Sequence, residues 1–265
     1  MNKSDIKSGF DTIDNTIGGF QNGDLIFLCS RPNIDKTSFA LNIARNILSN
    51  NKSIAYFSPK PSKELIFDRL LSMASQVPYI KIRNNALNDE EKISIERAKD
   101  RISKYNLYID DTPHISIEYI ENTVAQLCNV DLIIIDYVQL MKRISVLDDP
   151  IEQNIILWHR LKKTAKKLDI PIICLSQTHR HYTDKNMNSN DKLNEIDLYL
   201  WQMKISDVFL QLVIDTKATG ETTNKQKLAC IIIGSRYYSN DGSVASGKSS
   251  LMHLNFDPEH LLFST

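Results

Sequence analysis

The chain has 265 residues, 42% of them hydrophobic and 24% charged, ordinary proportions for a globular protein and within the range of a single α/β domain. Lys+Arg and Asp+Glu are both 32, so no net basic field draws in nucleic acid, which leaves only a local basic surface for that role. Nothing reads as a signal peptide or a membrane span, and Cys29, Cys128, Cys174 and Cys230 are too scattered for a disulfide or zinc framework, so a cytoplasmic protein with reduced, mostly buried thiols is expected.

In chain order, apolar runs at 25–29, 53–57, 107–109, 132–135, 170–175, 208–214 and 228–233 predict buried parallel strands. Helical periodicity at 37–48, 62–75, 89–104, 115–128 and 151–168 separates the first five of them. Asn88 or Asp89 supplies an N-cap to the third helix, and Pro171 stops the fifth. Such alternation gives a parallel sheet with helices on both faces. Strand-type segments toward the end predict added antiparallel strands. There is no internal repeat, and the polar stretches 179–194, 216–227 and 237–249 read as loops.

Ser30, Arg31, Pro32, Asn33, Ile34, Asp35, Lys36 and Thr37 follow the first strand, and Ser38 continues into a helical pattern. That is the strand, loop and helix context of a phosphate-binding loop. Lys36 would reach the terminal phosphates and Thr37 would hold a magnesium ion; the plain alternative is a helix that merely starts at Lys36. Serine and aspartate stand where such a loop has its two glycines. A carboxylate at Asp35, about 5 Å from a polyphosphate, is expected to cost on the order of 3 kcal/mol, roughly a hundredfold in affinity. A left-handed backbone, if needed there, would add strain.

Leu132-Ile133-Ile134-Ile135-Asp136 is four apolar residues ending in an acid, the Walker B form. It would set Asp136 at a strand's C-terminal end, facing the loop and orienting magnesium through Thr37. Gln177 ends another strand, where it either senses a γ-phosphate or makes a strand-end hydrogen bond.

Several strings carry a resemblance in this order: Gly9-Phe10-Asp11, Gly23-Asp24-Leu25-Ile26, Arg31 through Ala40, Phe57-Ser58 and Lys81-Ile82-Arg83. It continues through Tyr108-Ile109-Asp110-Asp111, Ile135-Asp136-Tyr137-Val138-Gln139-Leu140-Met141, Leu175-Ser176-Gln177 and Ile231-Ile232-Ile233-Gly234. Over nearly its whole length the chain resembles the ATPase domain of DnaB-type replicative DNA helicases. The resemblance implies an α/β fold with a RecA-like P-loop NTPase core across residues 1–265: a mostly parallel sheet flanked by helices, with extra antiparallel strands near the C-terminus. It implies ATP and Mg as ligands and, in the family, a hexameric ring that encircles single-stranded DNA and hydrolyses NTP at subunit interfaces. The chain opens only a few residues before this core. The family's N-terminal domain and most of its linker helix are therefore not expected in it, which disfavours a hexamer and leaves another oligomer open.

Residue by residue, Lys36, Thr37, Asp136 and Gln177 match the family pattern. Lys60 occupies the place of the family's catalytic glutamate, and a charged lysine cannot take a proton from water; it could pair instead with Asp35 or a phosphate. Glu64, one helical turn on, is the first substitute carboxylate. Arg236 matches the finger that reaches a neighbour's γ-phosphate, without the accompanying lysine. The family's DNA-contacting loop corresponds to 178–193, where Arg180, Lys185 and Lys192 are the expected phosphate contacts, with His179 and His181 beside them. Departures at Asp35, Lys60 and the finger segment predict a DnaB-helicase-like domain of DNA replication with weak or no ATP hydrolysis. It would act by binding nucleotide, single-stranded DNA, a bona fide helicase or another replication protein, with no membrane partner. The alternative is an active ATP-dependent replicative helicase.

Overall fold

Strands without polar interruption cannot face water on either side, so they are covered by helices above and below. The computed structural model describes residues 6–142, 149–177, 198–214, 226–234 and 249–265. Its strands are β1 (Leu25–Ser30), β2 (Ser53–Phe57), β3 (Asn106–Asp110), β4 (Leu132–Asp136), β5 (Ile172–Gln177), β6 (Val208–Ile214), β7 (Gln226–Gly234), β8 (Ser249–Asp257) and β9 (Leu262–Ser264). They form one sheet in the order β3-β2-β4-β5-β1-β6-β7-β8-β9, parallel through β6 and antiparallel beyond it.

The helices are α1 (Asp11–Ile17), α2 (Lys36–Ser49), α3 (Lys63–Ser75), α4 (Tyr79–Arg83), α5 (Asp89–Ile102), α6 (Ile117–Gln126) and α7 (Pro150–Leu168), and residues 198–205 are also helical. The two-residue period of each strand divides the interior into two cores. Ile26, Leu28, Ile54, Tyr56 and Ile134 pack with α2, α3 and α5. Phe27, Ala55, Phe57, Ile133 and Ile135 face α6 and α7, where the Trp158 ring meets Phe27 edge-on at 5.5 Å.

Local chemistry sets the helix ends. Asn88 and Glu91 form a reciprocal capping box at the start of α5. Pro150 sits in the first turn of α7 behind the Asp149 cap, and Asp169 closes that helix in the left-handed region before Pro171. Gly9 has φ 79°, and a Cβ there would come within 2.4 Å of the Asn46 side chain, which bonds the Ser8 carbonyl at 3.1 Å; glycine is required at this close approach.

Three expectations are corrected. The 228–233 run, expected among the parallel strands, lies in β7 and runs antiparallel to β6. The segment between Ile214 and Gln226 is too short for the crossover helix a parallel pair needs. The loop expected to reach Lys227 ends by Gln226, where β7 starts, and the loop expected to reach Ser249 ends there, where β8 starts. Helix α1 and helix α4, of 7 and 5 residues, had no prediction because neither is long enough to display a helical period. The expected 179–194 loop lies outside the described residues.

Asn42 fastens the end of the sheet to α2. Its amide donates to the Ser38 and Leu261 carbonyls at 2.8 and 2.9 Å and accepts from the Phe263 N–H at 3.3 Å, all buried. Asn42→Leu would leave the Leu261 and Phe263 backbone groups unpaired, and urea unfolding should report a loss of about 2–4 kcal/mol. A loss within error of zero would mean that β9 is held by its apolar contacts alone.

Candidate nucleotide site

The parallel order breaks around β1. From β1 the chain crosses by α2 past β5 and β4 to β2, and β6 lies on the other side of β1. Strand ends at such a switch leave a crevice where ligands of α/β sheets bind. The loop of residues 31–35 opens there.

Ser30 is fully buried, pairs with Gln177 of β5 in register, and turns its hydroxyl across the loop to the Arg31 and Ile34 carbonyls at 3.1 and 3.3 Å. The loop's left-handed residue is Asn33, with φ 68°. Asp35 has φ −74° and ψ 73°, and the Lys36 N–H bonds the Ile34 carbonyl at 2.7 Å, an inverse γ-turn open to any L residue. The expected strain at Asp35 is therefore absent.

Its expected charge clash is altered as well. The Asp35 carboxylate caps α2, accepting from the Ser38 N–H at 3.0 Å and the Ser38 hydroxyl at 2.8 Å. Arg69 of α3 donates to the same carboxylate through Nη1 at 2.6 Å. Lys60 is accordingly not the partner of Asp35, contrary to one expectation. Arg69 carries no signal in the linear sequence beyond its place on α3; only packing brings it to the loop.

Asp136 ends β4 and is 1% exposed. Thr37 and Tyr56 both donate hydroxyl hydrogens to its Oδ2, at 2.8 and 2.9 Å. Burial pushes its pKa from 3.8 up to about 6, against the pull of these hydroxyls, Lys36 and Arg69. The same burial lowers the Lys36 pKa, opposed by Asp136, Cys29 and Asp35, and the Lys36 ammonium lies 5.7 Å from the Tyr137 ring centre. The structure thus brings Lys36, Thr37 and Asp136 together and adds Tyr56, which the sequence presents as an ordinary strand residue.

A hydroxyl and a buried carboxylate that has not found a full counter-charge suit a hard divalent cation, which keeps few protein ligands beside its waters and phosphates. Thr37 and Asp136 would hold magnesium here. Among the described residues no group of three His, Cys, Asp or Glu gathers into a metal site of its own.

Behind this pair lies a buried polar chain. Gln139 donates to the Ser176 hydroxyl at 2.9 Å and the Gln177 carbonyl at 3.0 Å; Gln202 donates to Ser176 at 2.7 Å and accepts from the Cys29 thiol at 3.4 Å. It pins the ends of β1 and β5 to the turn after β4 and to the helix at 198–205. Gln177 stands at the strand end beside the loop, as expected.

Just past the end of β2, Lys60 is exposed. The carboxylate of the adjoining strand end is Asp110 of β3, the register partner of Phe57, and it is already engaged. It accepts from Tyr108 and Tyr119 at 3.1 and 2.8 Å and from the Thr112 N–H at 2.9 Å. These bonds overcome burial and hold its pKa below the ordinary value. Glu64 is exposed in the first turn of α3. Arg236, Arg180, Lys185, Lys192, His179 and His181 lie outside the described residues.

Residues 5–196 match the family of the DnaB-like helicase C-terminal domain. The chain belongs to that family. It is 35% identical over 186 residues to a probable replicative DNA helicase of Trieres chinensis, covering 68% of this chain and 41% of that protein. It is 33% identical to the replicative DNA helicase DnaB of Rickettsia conorii, over 66% of this chain and 38% of the relative. With replicative DNA helicase DnaC of Bacillus subtilis it shares 30% identity over 87% of its own length and 52% of the relative's. The chain thus spans about half or less of these curated relatives. Among solved structures, one isolated ATPase domain superposes with a TM-score of 0.81 at 25% identity, covering 99% of this chain and 91% of that one. A DnaB-like replicative helicase studied for its interactions with primase gives a TM-score of 0.80, also at 25% identity, over 99% of this chain and 62% of that one. The fold of this DnaB-like domain is RecA-like. No helix among its described residues is long and apolar enough to cross a membrane.

The buried carboxylate makes a pH-dependent expectation. Well below pH 3.8 Asp136 is protonated in both folded and unfolded chains and no charge is buried; as pH rises toward 6 the unfolded chain ionises first. Folding stability then falls by up to about 3 kcal/mol and stays level above that window. Asp136→Asn, which keeps an acceptor for Thr37 and Tyr56, should therefore be more stable than the unmodified chain at pH 8 without metal, and no more stable well below pH 3.8. An equal difference at both pH values, read by urea unfolding in chelator, would refute the buried-charge account.

Proposed function

We propose that this DnaB-like domain binds ATP with magnesium at Lys36, Thr37 and Asp136 and turns it over weakly or not at all. It then acts in DNA replication as a single RecA-like unit through nucleotide, single-stranded DNA or a helicase partner. The observation that carries the reading is the end of β2: Lys60 is exposed there, and Asp110, the carboxylate of the adjoining strand end, is already engaged by two tyrosines and a backbone N–H, which hold its pKa below the ordinary value. Neither residue supplies a free general base at that corner. Binding is a separate matter, since Lys36 supplies a cation and the Thr37–Asp136 pair a seat for magnesium. When bound, the ion would offset phosphate charge. The chain's own residues orient the nucleotide: Lys36 and Thr37 from the first turn of α2, and Gln177 from the neighbouring strand end.

Partners follow from the family. A DnaB-like helicase has been solved for its interactions with primase, and single-stranded DNA or a replication protein of that kind is the partner we propose, in the cytoplasm. A second reading, an active ATP-dependent replicative helicase, is favoured by the intact contact between Thr37 and Asp136 at 2.8 Å and would enlist Glu64 as base.

Calorimetry with Mg-ATP should give micromolar binding, and hydrolysis should stay at background with or without single-stranded DNA. Lys60→Glu should raise the magnesium-dependent rate by about a hundredfold or more, the usual contribution of a general base. DNA-stimulated turnover by the unmodified chain, unchanged in Lys60→Glu but lost in Glu64→Gln, would establish the second reading instead.

A further inference from the structure

Asp35 stands in a glycine position of the phosphate loop, and the charge it brings has a partner from outside the loop. Arg69 projects from α3, and its Nη1 lies 2.6 Å from Asp35 Oδ2 and 2.6 Å from Ser38 Oγ. Both side chains are largely buried, 20% and 24% exposed, so solvent screens the pair only in part. The guanidinium also lies 5.4 Å from the Tyr79 ring centre, a cation–π contact that holds it from a second side. Its Nε is buried without a hydrogen-bond partner among the described residues. Burial opposes the charged guanidinium, and Asp35 more than offsets that, holding its pKa above the ordinary value.

We propose that Arg69 is a positioning residue that sets the nucleotide affinity of this site: it cancels the Asp35 charge and holds that carboxylate in the α2 cap, away from the phosphates. An aspartate left unpaired in this loop would repel a polyphosphate by roughly a hundredfold in affinity. Paired to Arg69, it presents the phosphates with a nearly neutral unit, and the positive end of α2 with Lys36 then decides binding. The aspartate at position 35 and the arginine at position 69 thus form one device, in which either member alone is harmful or unbalanced. The inference rests on nucleotide binding at this loop, as proposed above.

The test is a double-mutant cycle in the affinity of the full chain for Mg-ADP by calorimetry, with thermal unfolding of each variant alongside. Arg69→Gln should weaken binding about 30–100-fold, because it bares the Asp35 carboxylate. Asp35→Asn should tighten binding only about threefold, because the uncompensated Arg69 charge is partly screened, so that additive changes would leave the double variant about 10–30-fold weaker than the unmodified chain. The double variant should return to within about threefold of the unmodified chain. That rescue is what a merely structural arginine would not give: its loss would weaken binding equally whether residue 35 is charged or not. Arg69→Lys, which keeps the charge, should stay within about fivefold of the unmodified chain. If Arg69→Gln does not fold, the Asp35→Asn arm decides, and unchanged or weaker binding overturns the inference. Additive changes across the cycle overturn this inference alone. No binding of Mg-ADP by any of the four proteins overturns it together with the nucleotide reading on which it rests.

Discussion

One carboxylate in the interior organises this molecule. A charge in a dry core is tolerated only where donors and counter-charges surround it. Asp136 meets that condition only in part: β4, β2 and α2 converge on it and bring the Tyr56 and Thr37 hydroxyls to the same oxygen, while burial still raises its pKa. The convergence requires β4 to lie beside β2 and the loop after β1 to open across β5, which is the observed strand order. Lys36 is buried in the same crevice, so the sheet assembles an opposite pair of half-satisfied charges at its C-terminal rim. That electrostatic need, built before any ligand arrives, is the physical meaning of the site.

The loop around it is internally consistent. Ser30 stitches the loop with its hydroxyl, Asn33 takes the left-handed turn, and Asp35 caps α2 while pairing with Arg69. Each residue is matched to its backbone, so the loop is unstrained. The backbone N–H of Lys36 is nonetheless engaged with the Ile34 carbonyl, and N–H groups are what such loops aim at phosphates. A ligand at this rim would therefore meet side chains and the start of α2 more than a backbone cradle. Catalysis is a stricter demand than binding, because it needs a base as well as a seat. Family membership establishes the scaffold; the chemistry depends on such single positions.

Much of this was legible beforehand. The apolar runs that became β1, β2, β4 and β5 had to be strands buried on both sides, since they offer water no polar face, and Asn88 and Pro171 marked helix boundaries through capping and lost hydrogen bonding. Lys36, Thr37 and Asp136 were recognisable because each is tied to a strand end or a helix start, where spacing along the chain is also spacing in space. β8 was harder: its Met252, Leu254 and Phe256 alternate inward, but exposed Leu251 and the polar residues between them blur the pattern.

By itself, the sequence determined the two-sided parallel sheet, the position of the loop at 31–35 and the carboxylate that faces it, because these follow from periodicity and local chain geometry. Tertiary structure alone decided the reversal of β7, the Tyr56 bond to Asp136, the Gln139–Ser176–Gln202 chain and the pairing of Asp35 with Arg69. Each joins residues from different elements, and whether a charge repels a ligand or is cancelled depends on what stands a few ångströms away in space, a distance that spacing along the chain does not encode.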